Sequence, residues 1–232
     1  HLHSEYGGVV PELASREHLK SLLPLVQEVF NEAKITVNDI HGIGITTGPG
    51  LSGALLTGTS FACGLSEAIN CPLIPVNHLE GHVLSVLLEN DSPTLKSCKF
   101  PFLALLISGG HTQIVKVSGV GLYEVLGQTI DDAVGETFDK TALLLGLGYP
   151  GGPEVSKLAT KGDKNKFNFP MPLCKKDTLD FSFSGLKTAV LNETKKNNLE
   201  DINIKRDIAA SLEYTISEIL SKKCKLAIEK TG

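Results

Sequence analysis

The spacing of apolar residues changes along the chain and predicts where its helices and strands lie. Apolar residues recur every three or four positions over residues 11–33, which predicts a first helix. Two β-rich runs follow, at 40–46 and within CPLIPVNH, and they lead into helical patterns at about 51–67 and 79–88. This alternation of strands and helices predicts an α/β fold.

The second part of the chain begins with strands and continues with helices. The polar stretch 90–99 predicts a boundary between an N-terminal lobe at 1–97 and a C-terminal lobe at 98–232. FPFLALLISGG and HTQIVKVSG are β-rich runs that meet at a Gly-Gly turn, which predicts a hairpin, and LYEVLGQ is a third run. Helices are predicted at 133–145, 186–196 and 207–229, with GLGYPGGP ending the first of them and a lysine-rich loop at 162–178.

Composition narrows the class of protein. With 232 residues, 41% of them hydrophobic, the chain can form one large or two small cores. A formal charge of −4 means that any nucleic acid would have to meet a local basic patch. The five cysteines are scattered and never spaced as CxxC, which favours a reducing compartment over a disulfide framework. No apolar run reaches the length of a membrane span, so we expect no membrane partner.

His78 and His82 are the first candidate for chemistry. On a helix, residues i and i+4 lie on one face, so both imidazoles can reach one metal ion. The glutamate between them makes the pattern H-x-E-x-H, whereas zinc peptidases have H-E-x-x-H. Glu80 therefore lies roughly 160–200° around the helix from the histidines, which argues against a peptidase. The alternative is a pair of surface histidines on an amphipathic helix.

Two glycine-rich stretches allow more than one interpretation. In SGGHT, Ser108–Thr112, the turn between strands either points its N–H groups at a ligand, as phosphate loops do, or is a plain β-turn. TGPGLSGALLTG, residues 47–58, has no lysine and is not a P-loop. Its small residues suit an anion loop or close helix packing, and we favour packing.

Charged residues cluster in two places. Asp132, Glu136 and Asp139 are spaced i, i+4 and i+7, which predicts one acidic helix face, either solvated or accepting hydrogen bonds from a ribose. Residues 157–176 carry about five more positive than negative charges, which suits either RNA phosphates or a solubilising loop. The lysines of this stretch are Lys157, Lys161, Lys164, Lys166, Lys175 and Lys176, against the single acid Asp163.

Several strings together carry a resemblance to a known family. They are, in order, HSEYGGVVPELASREH, GPGLSGALLTG, NHLEGH, LLISGGHTQ, IDDAVGETFDKTALLLGLGYPGGP and FSFSGLKTAV. In this order the chain resembles the tRNA threonylcarbamoyladenosine transferase family of the TsaD/Kae/Qri type, which once bore the name O-sialoglycoprotein endopeptidase. The resemblance implies a two-lobed, actin-like (ASKHA, ribonuclease H-like) α/β fold with mixed sheets flanked by helices and the ligand between the lobes.

The resemblance also implies roles for individual residues. His78 and His82 match the family's metal-binding histidines, whose metal is iron or zinc. The family's substrate-binding loop matches Leu106, Ile107, Ser108, Gly109 and Gly110. Asp139 and Gly152 match two further contacts to the nucleotide-like substrate. The implied reaction moves a threonylcarbamoyl group from threonylcarbamoyl-AMP onto the adenosine beside the anticodon. No catalytic side chain is assigned, because the attacking amine belongs to the RNA.

Partners and alternatives follow from the same resemblance. It implies tRNA, threonylcarbamoyl-AMP or an adenine nucleotide, an inactive paralogue and a small ATPase as partners, in the cytoplasm of a bacterium or in the mitochondrial matrix. The family's first phosphate motif, a substrate-contacting Asn and an Asp metal ligand have no match here, so we interpret the chain as a fragment that binds metal weakly and has little activity. The alternatives are an actin-like ATPase or phosphotransferase, a metallopeptidase, and a non-catalytic scaffold.

Overall fold

The computed structural model of the chain describes residues 10–88, 98–174 and 177–232. The chain divides into two compact units, His1–Lys96 and Ser97–Gly232. Most of the polar stretch predicted as the lobe boundary, 90–99, lies outside the described residues, as do Lys175 and Lys176. In the described part of the chain, no helix combines the length and the apolar character needed to cross a membrane.

The described residues of the first unit form two parallel strands with helices packed beside them. Its main elements are α1 Pro11–Ala33, β1 Ile43–Gly48, α2 Ser52–Ile69, β2 Leu73–Asn77 and α3 His78–Leu84. Short 3-10 turns lie at Val37–Asp39 and Ser85–Leu87. The first predicted helix is confirmed at both ends, with Pro11 at its start and a left-handed residue, Lys34, after its last turn.

Parallel pairing decides which loops of this unit lie together. β1 pairs with β2 in parallel, with Ile43 opposite Leu73 and Gly48 opposite Asn77. The carboxyl ends of both strands therefore lie at the same edge of the sheet. The Gly-Pro-Gly turn after β1 and the histidine helix after β2 both start from this edge, where open α/β sheets bind their ligands.

The second unit joins an antiparallel sheet to four helices. Its elements are β3 Phe102–Ile107, β4 Thr112–Gly119, β5 Leu122–Gln128, α4 Val134–Leu144, α5 Gly151–Ala159, α6 Ser184–Lys196 and α7 Ile202–Thr231. The strands lie in the order β3-β4-β5, and the predicted hairpin at the Gly-Gly turn is confirmed. The predicted α/β class is thus confirmed, with the parallel and antiparallel pairing divided between the two units.

The core of the second unit forms around α7. Phe181, Phe183, Leu212 and Ile219 are fully buried within one continuous apolar cluster. The backbone of β5 approaches this cluster so closely that a Cβ on Gly127 would lie 2.2 Å from the carbonyl oxygen of Leu179. Glycine at this position lets the sheet and the FSFSG segment pack against each other.

The sequence pattern did not predict helix α5. GLGYPGGP was predicted only to end the helix before it, and it does so, because Gly146 has a φ of 72° just beyond α4. The same string then begins α5 at Gly151. A proline in the first turn of a helix lacks only an N–H group that would have no partner there, so Pro153 does not oppose this helix.

Candidate functional site

The histidine pair lies where a parallel strand turns into a helix. β2 ends at Asn77 and α3 begins at His78. The Oδ1 atom of Asn77 accepts hydrogen bonds from the N–H groups of Leu79, at 2.9 Å, and Glu80, at 3.2 Å. This side chain caps the helix and fixes its start, which in turn fixes the position of His78.

The two imidazoles face each other on one side of α3, as their spacing predicts. Their Nε2 atoms are 3.3 Å apart, and the ring centroids are 4.5 Å apart at an interplanar angle of 74°. Two nitrogens bound at about 2.1 Å to one tetrahedral metal ion lie roughly 3.4 Å apart. The observed spacing therefore fits a shared metal ion, and both rings are exposed to solvent and open to a further ligand.

The described part of the chain supplies two ligands of this kind and not three. Among residues 10–88, 98–174 and 177–232, no group of three or more His, Cys, Asp or Glu side chains is placed to hold a metal ion. Glu80 follows His78 by two positions on α3, which puts it at roughly 200° around the helix axis. The arrangement differs in this respect from a zinc peptidase, whose glutamate acts on metal-bound water.

A cavity of about 360 Å³ in the first unit has His78 in its wall. The other residues that line it come from α1, β1, the Gly-Pro-Gly turn and α2, and most are apolar. His18 of α1 also lines this cavity, although nothing in the sequence pattern singled it out. The small residues of the turn and α2 also serve packing, because a Cβ on Gly53 would lie 2.4 Å from the hydroxyl of Ser15 on α1.

In the second unit, the diglycine turn is closed by its own serine. The N–H of Ser108 donates to the carbonyl of His111 at 2.8 Å. The Ser108 hydroxyl oxygen accepts from the N–H groups of Gly110, at 3.3 Å, and His111, at 3.0 Å. Two N–H groups of the turn are thus engaged inside it, as in a plain β-turn, which is one of the two interpretations of SGGHT.

Gly109 and Gly110 are not required by the backbone of the turn. Neither has a φ in the left-handed region, and a Cβ on either would meet nothing within 4 Å. The space above both residues is therefore open to a bound molecule. The two preceding residues of the predicted loop, Leu106 and Ile107, lie on β3, paired with Gln113 and Thr112.

Gly135 positions this turn, and sequence reasoning missed it. Its N–H donates to the carbonyl of Ser108 at 3.2 Å. A Cβ on Gly135 would lie 2.8 Å from both the Cα of Gly109 and the carbonyl oxygen of Ser108. Only glycine lets the turn pack this closely on the first turn of α4.

Asp139 lies one helical turn further along α4 and holds the start of α5. Its Oδ1 accepts a hydrogen bond of 2.8 Å from the N–H of Gly151. A Cβ on Gly151 would lie 2.4 Å from the Cβ of Ala142, so the two helices touch here. The next residue, Gly152, has nothing within 4 Å of a Cβ position. The structure therefore brings the predicted Asp139 and Gly152 into one neighbourhood.

The diglycine turn and the start of α5 both pack on one face of α4. Gly135 and Asp139 are spaced i, i+4 and so lie on the same face. The diglycine turn packs on the first of them and the start of α5 on the second. We name this surface the α4 face: Ser108–Gly110, Gly135, Asp139 and residues 151–152. It combines open space above a glycine turn, a carboxylate and a helix N-terminus, features that suit an anion and a ribose.

The other acidic residues near α4 have structural partners. Asp132 precedes the helix, which begins at Val134, so the prediction that Asp132, Glu136 and Asp139 share one helix face is wrong for Asp132. The Lys140 ammonium binds the carboxylates of Asp132, at 2.7 Å, and Glu136, at 2.9 Å. Both carboxylates raise the pKa of Lys140. Asp139 alone of the three is directed at α5.

Asp131 caps helix α6 from a distance of some fifty residues in the sequence. Its carboxylate accepts hydrogen bonds from the N–H groups of Phe183, at 2.7 Å, and Ser184, at 3.1 Å. The hydroxyls of Ser182, at 2.6 Å, and Ser184, at 2.8 Å, donate to it as well. Burial raises the pKa of Asp131, but these hydrogen bonds outweigh burial, and the pKa is lowered.

Replacing Asp131 with alanine is expected to lower the free energy of unfolding by about 2 kcal/mol, the upper range for loss of an N-cap. Folding lowers the pKa of Asp131, so its ionised carboxylate stabilises the folded state. This contribution to the free energy of unfolding is fully present above the unfolded-state pKa and is lost as the pH falls through the folded-state pKa. Denaturation curves at several pH values should show a gap between parent and Asp131→Ala that is constant at neutral pH and shrinks in acid. A gap that widens in acid would contradict this assignment.

Replacing Gly135 with alanine is expected to lower the free energy of unfolding by about 1–3 kcal/mol, because the added methyl group overpacks the contact with the diglycine turn. Gly185 offers a matched control, since it is also the second residue of its helix and its Cβ position lies an ordinary 3.9 Å from Pro172. Urea denaturation of both variants tests the contact. Equal stability of Gly135→Ala and Gly185→Ala would show that the turn does not depend on Gly135.

Together, the fold and these residues describe an α/β protein with an exposed pair of histidines at the end of a parallel strand and a glycine-rich surface that carries a carboxylate. The family model TsaD, described as tRNA N6-adenosine threonylcarbamoyltransferase, matches residues 1–232. The chain belongs to this family, which confirms the resemblance predicted from its motifs.

Two relatives show how close the similarity is. The chain is 54% identical over 231 residues to the tRNA N6-adenosine threonylcarbamoyltransferase of Acidovorax sp. (strain JS42). It is 52% identical over 231 residues to the protein of the same name from Vesicomyosocius okutanii subsp. Calyptogena okutanii (strain HA). Both alignments cover 100% of this chain and 65% of the relative, so the chain spans less than two thirds of the length of these proteins.

Proposed function

We propose that the protein takes part in transferring a threonylcarbamoyl group from threonylcarbamoyl-AMP to the N6 amine of the adenosine beside the anticodon of tRNA. The match of residues 1–232 to the family is the observation that carries this proposal. The amine nitrogen attacks the carbonyl carbon of the carbamoyl group, the bond from that carbon to the phosphate oxygen breaks, and AMP leaves as an anion. The amine loses one proton, and no protein nucleophile is needed.

The α4 face is proposed to bind the AMP portion of the donor. The open space above Gly109 and Gly110 accommodates the part of the ligand that lies against the backbone of the diglycine turn. Since Oδ1 of Asp139 is engaged with Gly151, its second oxygen is the one that accepts ribose hydroxyls. The open Cβ position of Gly152, at the start of α5, leaves room for the nucleotide there. Leu106 and Ile107 support the turn from β3.

His78 and His82 are proposed to hold one divalent metal ion, iron or zinc, because their Nε2 atoms have the spacing of two ligands on one ion. When bound, such an ion acts as a Lewis acid on a carbonyl or phosphate oxygen. The remaining ligand positions fall to the substrate, to water or to groups outside the described residues. Asn77 keeps the first imidazole in place by capping α3.

We extend the proposal to partners and location. Transfer needs a supply of adenylate, and an inactive paralogue and a small ATPase are the expected partners in a bacterial modification complex. The substrate tRNA is found in the cytosol, and the five cysteines are all free, as suits a reducing compartment. We therefore propose a cytosolic location.

Mass spectrometry of tRNA nucleosides tests the proposed reaction. Unmodified tRNA is incubated with threonine, bicarbonate, ATP and the partner enzymes, with and without this protein. We expect threonylcarbamoyladenosine only when the protein is present, and its loss in a His78→Ala/His82→Ala variant. Equal modification without the protein, or full modification by the double variant, would overturn the proposal.

A further inference from the structure

A polar groove in the second unit shares no lining residue with the α4 face. It has a volume of about 380 Å³ and runs between residues 166–169 and helix α6. The residues that line it are Lys166, Phe167, Asn168, Phe169, Ala189, Asn192, Glu193 and Lys196. We name it the α6 groove. Ala189, Asn192, Glu193 and Lys196 are spaced i, i+3, i+4 and i+7, so they form one face of the helix.

Lysines stand on both walls of this groove. Lys166 comes from the loop and Lys196 from the end of α6, and both are exposed. Lys196 binds Glu193 at 2.9 Å, with side chains 68% and 25% exposed. Surface ion pairs of this kind contribute only about 0–1 kcal/mol to stability, so a bound phosphate can replace the Glu193 carboxylate as the partner of the Lys196 ammonium group. Asn168 and Asn192 add amide donors and acceptors to the same walls.

An aromatic ring lies among these polar groups. Phe167 is half-buried and stacks on the buried Phe169, with ring centroids 6.3 Å apart and 24° between the planes. Its N–H donates to the hydroxyl of Ser211 at 3.1 Å, and that hydroxyl donates to the carbonyl of Asp163 at 3.2 Å. The loop is thus held against α7, and the ring and the lysine beside it are presented on a fixed backbone.

The stretch of chain that supplies Lys166 is basic although the chain as a whole has a charge of −4. Four lysines and one aspartate lie between residues 157 and 168. Lys164 lies 4.4 Å from the centroid of the Tyr214 ring, and Lys195 precedes Lys196 at the end of α6. Lysines for phosphates, an aromatic face for a base and amides for base edges are the groups with which proteins bind unpaired nucleotides.

We propose that the α6 groove binds the tRNA substrate at a point away from the reacting adenosine. Lys166 and Lys196 contact backbone phosphates, and Phe167 with the two asparagines receives one unpaired nucleotide. This inference rests on the proposed function, because it takes tRNA as the substrate. It assigns a role to Lys166 within the basic stretch, and it adds α6, which the sequence pattern did not connect with that stretch.

Fluorescence anisotropy with a labelled tRNA transcript, measured over a range of KCl concentrations, tests the groove. Each phosphate contact contributes roughly 0.7–0.9 to the slope of log K against log salt, so Lys166→Gln/Lys196→Gln should flatten the slope by about 1.5. Its affinity at low salt should fall by about 10-fold or more. The matched control is Lys222→Gln/Lys225→Gln, which removes two charges from α7 in the same unit without touching the groove.

A second variant separates stacking from charge. Phe167→Leu keeps an apolar side chain against the core, and it should weaken tRNA binding by at least about 5-fold with an unchanged salt slope. Equal salt slopes for the two lysine double variants, or no binding of tRNA by the parent chain, would overturn the proposal that the α6 groove binds tRNA. The nucleoside assay tests the proposed function separately. If the Lys166→Gln/Lys196→Gln variant forms threonylcarbamoyladenosine at the parental rate at low tRNA concentration, the proposed reaction is supported and the proposed role of the α6 groove is rejected.

Discussion

Replacing His82 with alanine is expected to lower the affinity of the protein for a divalent metal ion by at least about 100-fold. Loss of a hydrogen-bond partner behind a metal ligand alone costs 10–100-fold, and here a ligand itself is removed. In the proposed site the two Nε2 atoms, 3.3 Å apart, bind one ion together, so a single remaining imidazole is expected to have little affinity. Titration with Co²⁺, followed by its visible absorption, measures the change.

His41 provides the control for this experiment. It is an exposed histidine of the same unit, outside the described helices and strands, and so His41→Ala should bind metal as the parent does. His78→Ala should match His82→Ala, because the pair acts as a unit. The assignment fails if either member of the pair can be removed without loss, or if His41→Ala loses as much affinity as they do.

Gly151→Ala and Gly152→Ala are expected to have opposite effects on stability although they are neighbours. A Cβ on Gly151 would lie 2.4 Å from the Cβ of Ala142 and 2.9 Å from the Cα of Asp139. Overpacking of this kind costs about 1–3 kcal/mol, and the hydrogen bond from the Gly151 N–H to Asp139 is strained as well. We expect Gly151→Ala to lose about 3 kcal/mol in the free energy of unfolding.

At Gly152 the same change adds a methyl group to open space. Alanine favours a helix over glycine by up to about 1 kcal/mol, so Gly152→Ala should be as stable as the parent or more so. Its affinity for AMP should nevertheless fall by about 10-fold if the nucleotide occupies that space. Urea denaturation and AMP titration of the two variants measure both effects. A stable Gly152→Ala with parental AMP affinity would remove Gly152 from the ligand site.

The sequence predicted those features that depend on neighbours along the chain. The helical period of α1, the strand–turn–strand pattern around Gly109 and the spacing of His78 and His82 are local signals, and each has the structure that its pattern indicates. The helix after GLGYPGGP escaped prediction because glycines and a proline signal an end more strongly than a beginning.

Roles that depend on distant partners could not be predicted in this way. Asp131 caps a helix that begins at Ser184, and Gly135 makes room for a turn at Ser108. The local pattern showed only an acidic residue before a helix and a glycine inside it. The i, i+4 spacing of Gly135 and Asp139 was visible in the sequence, but its meaning depends on which segments pack on that face.

The central claim is that a metal ion at His78 and His82 and an adenylate at the α4 face serve the same reaction. The rate of threonylcarbamoyladenosine formation on tRNA, measured by mass spectrometry of nucleosides with threonylcarbamoyl-AMP as the donor and a saturating divalent metal ion, tests this claim most directly. We predict that His82→Ala lowers the maximal rate, that Gly152→Ala raises the donor concentration needed for half the maximal rate, and that His41→Ala changes neither. Parental kinetics in both His82→Ala and Gly152→Ala would contradict it.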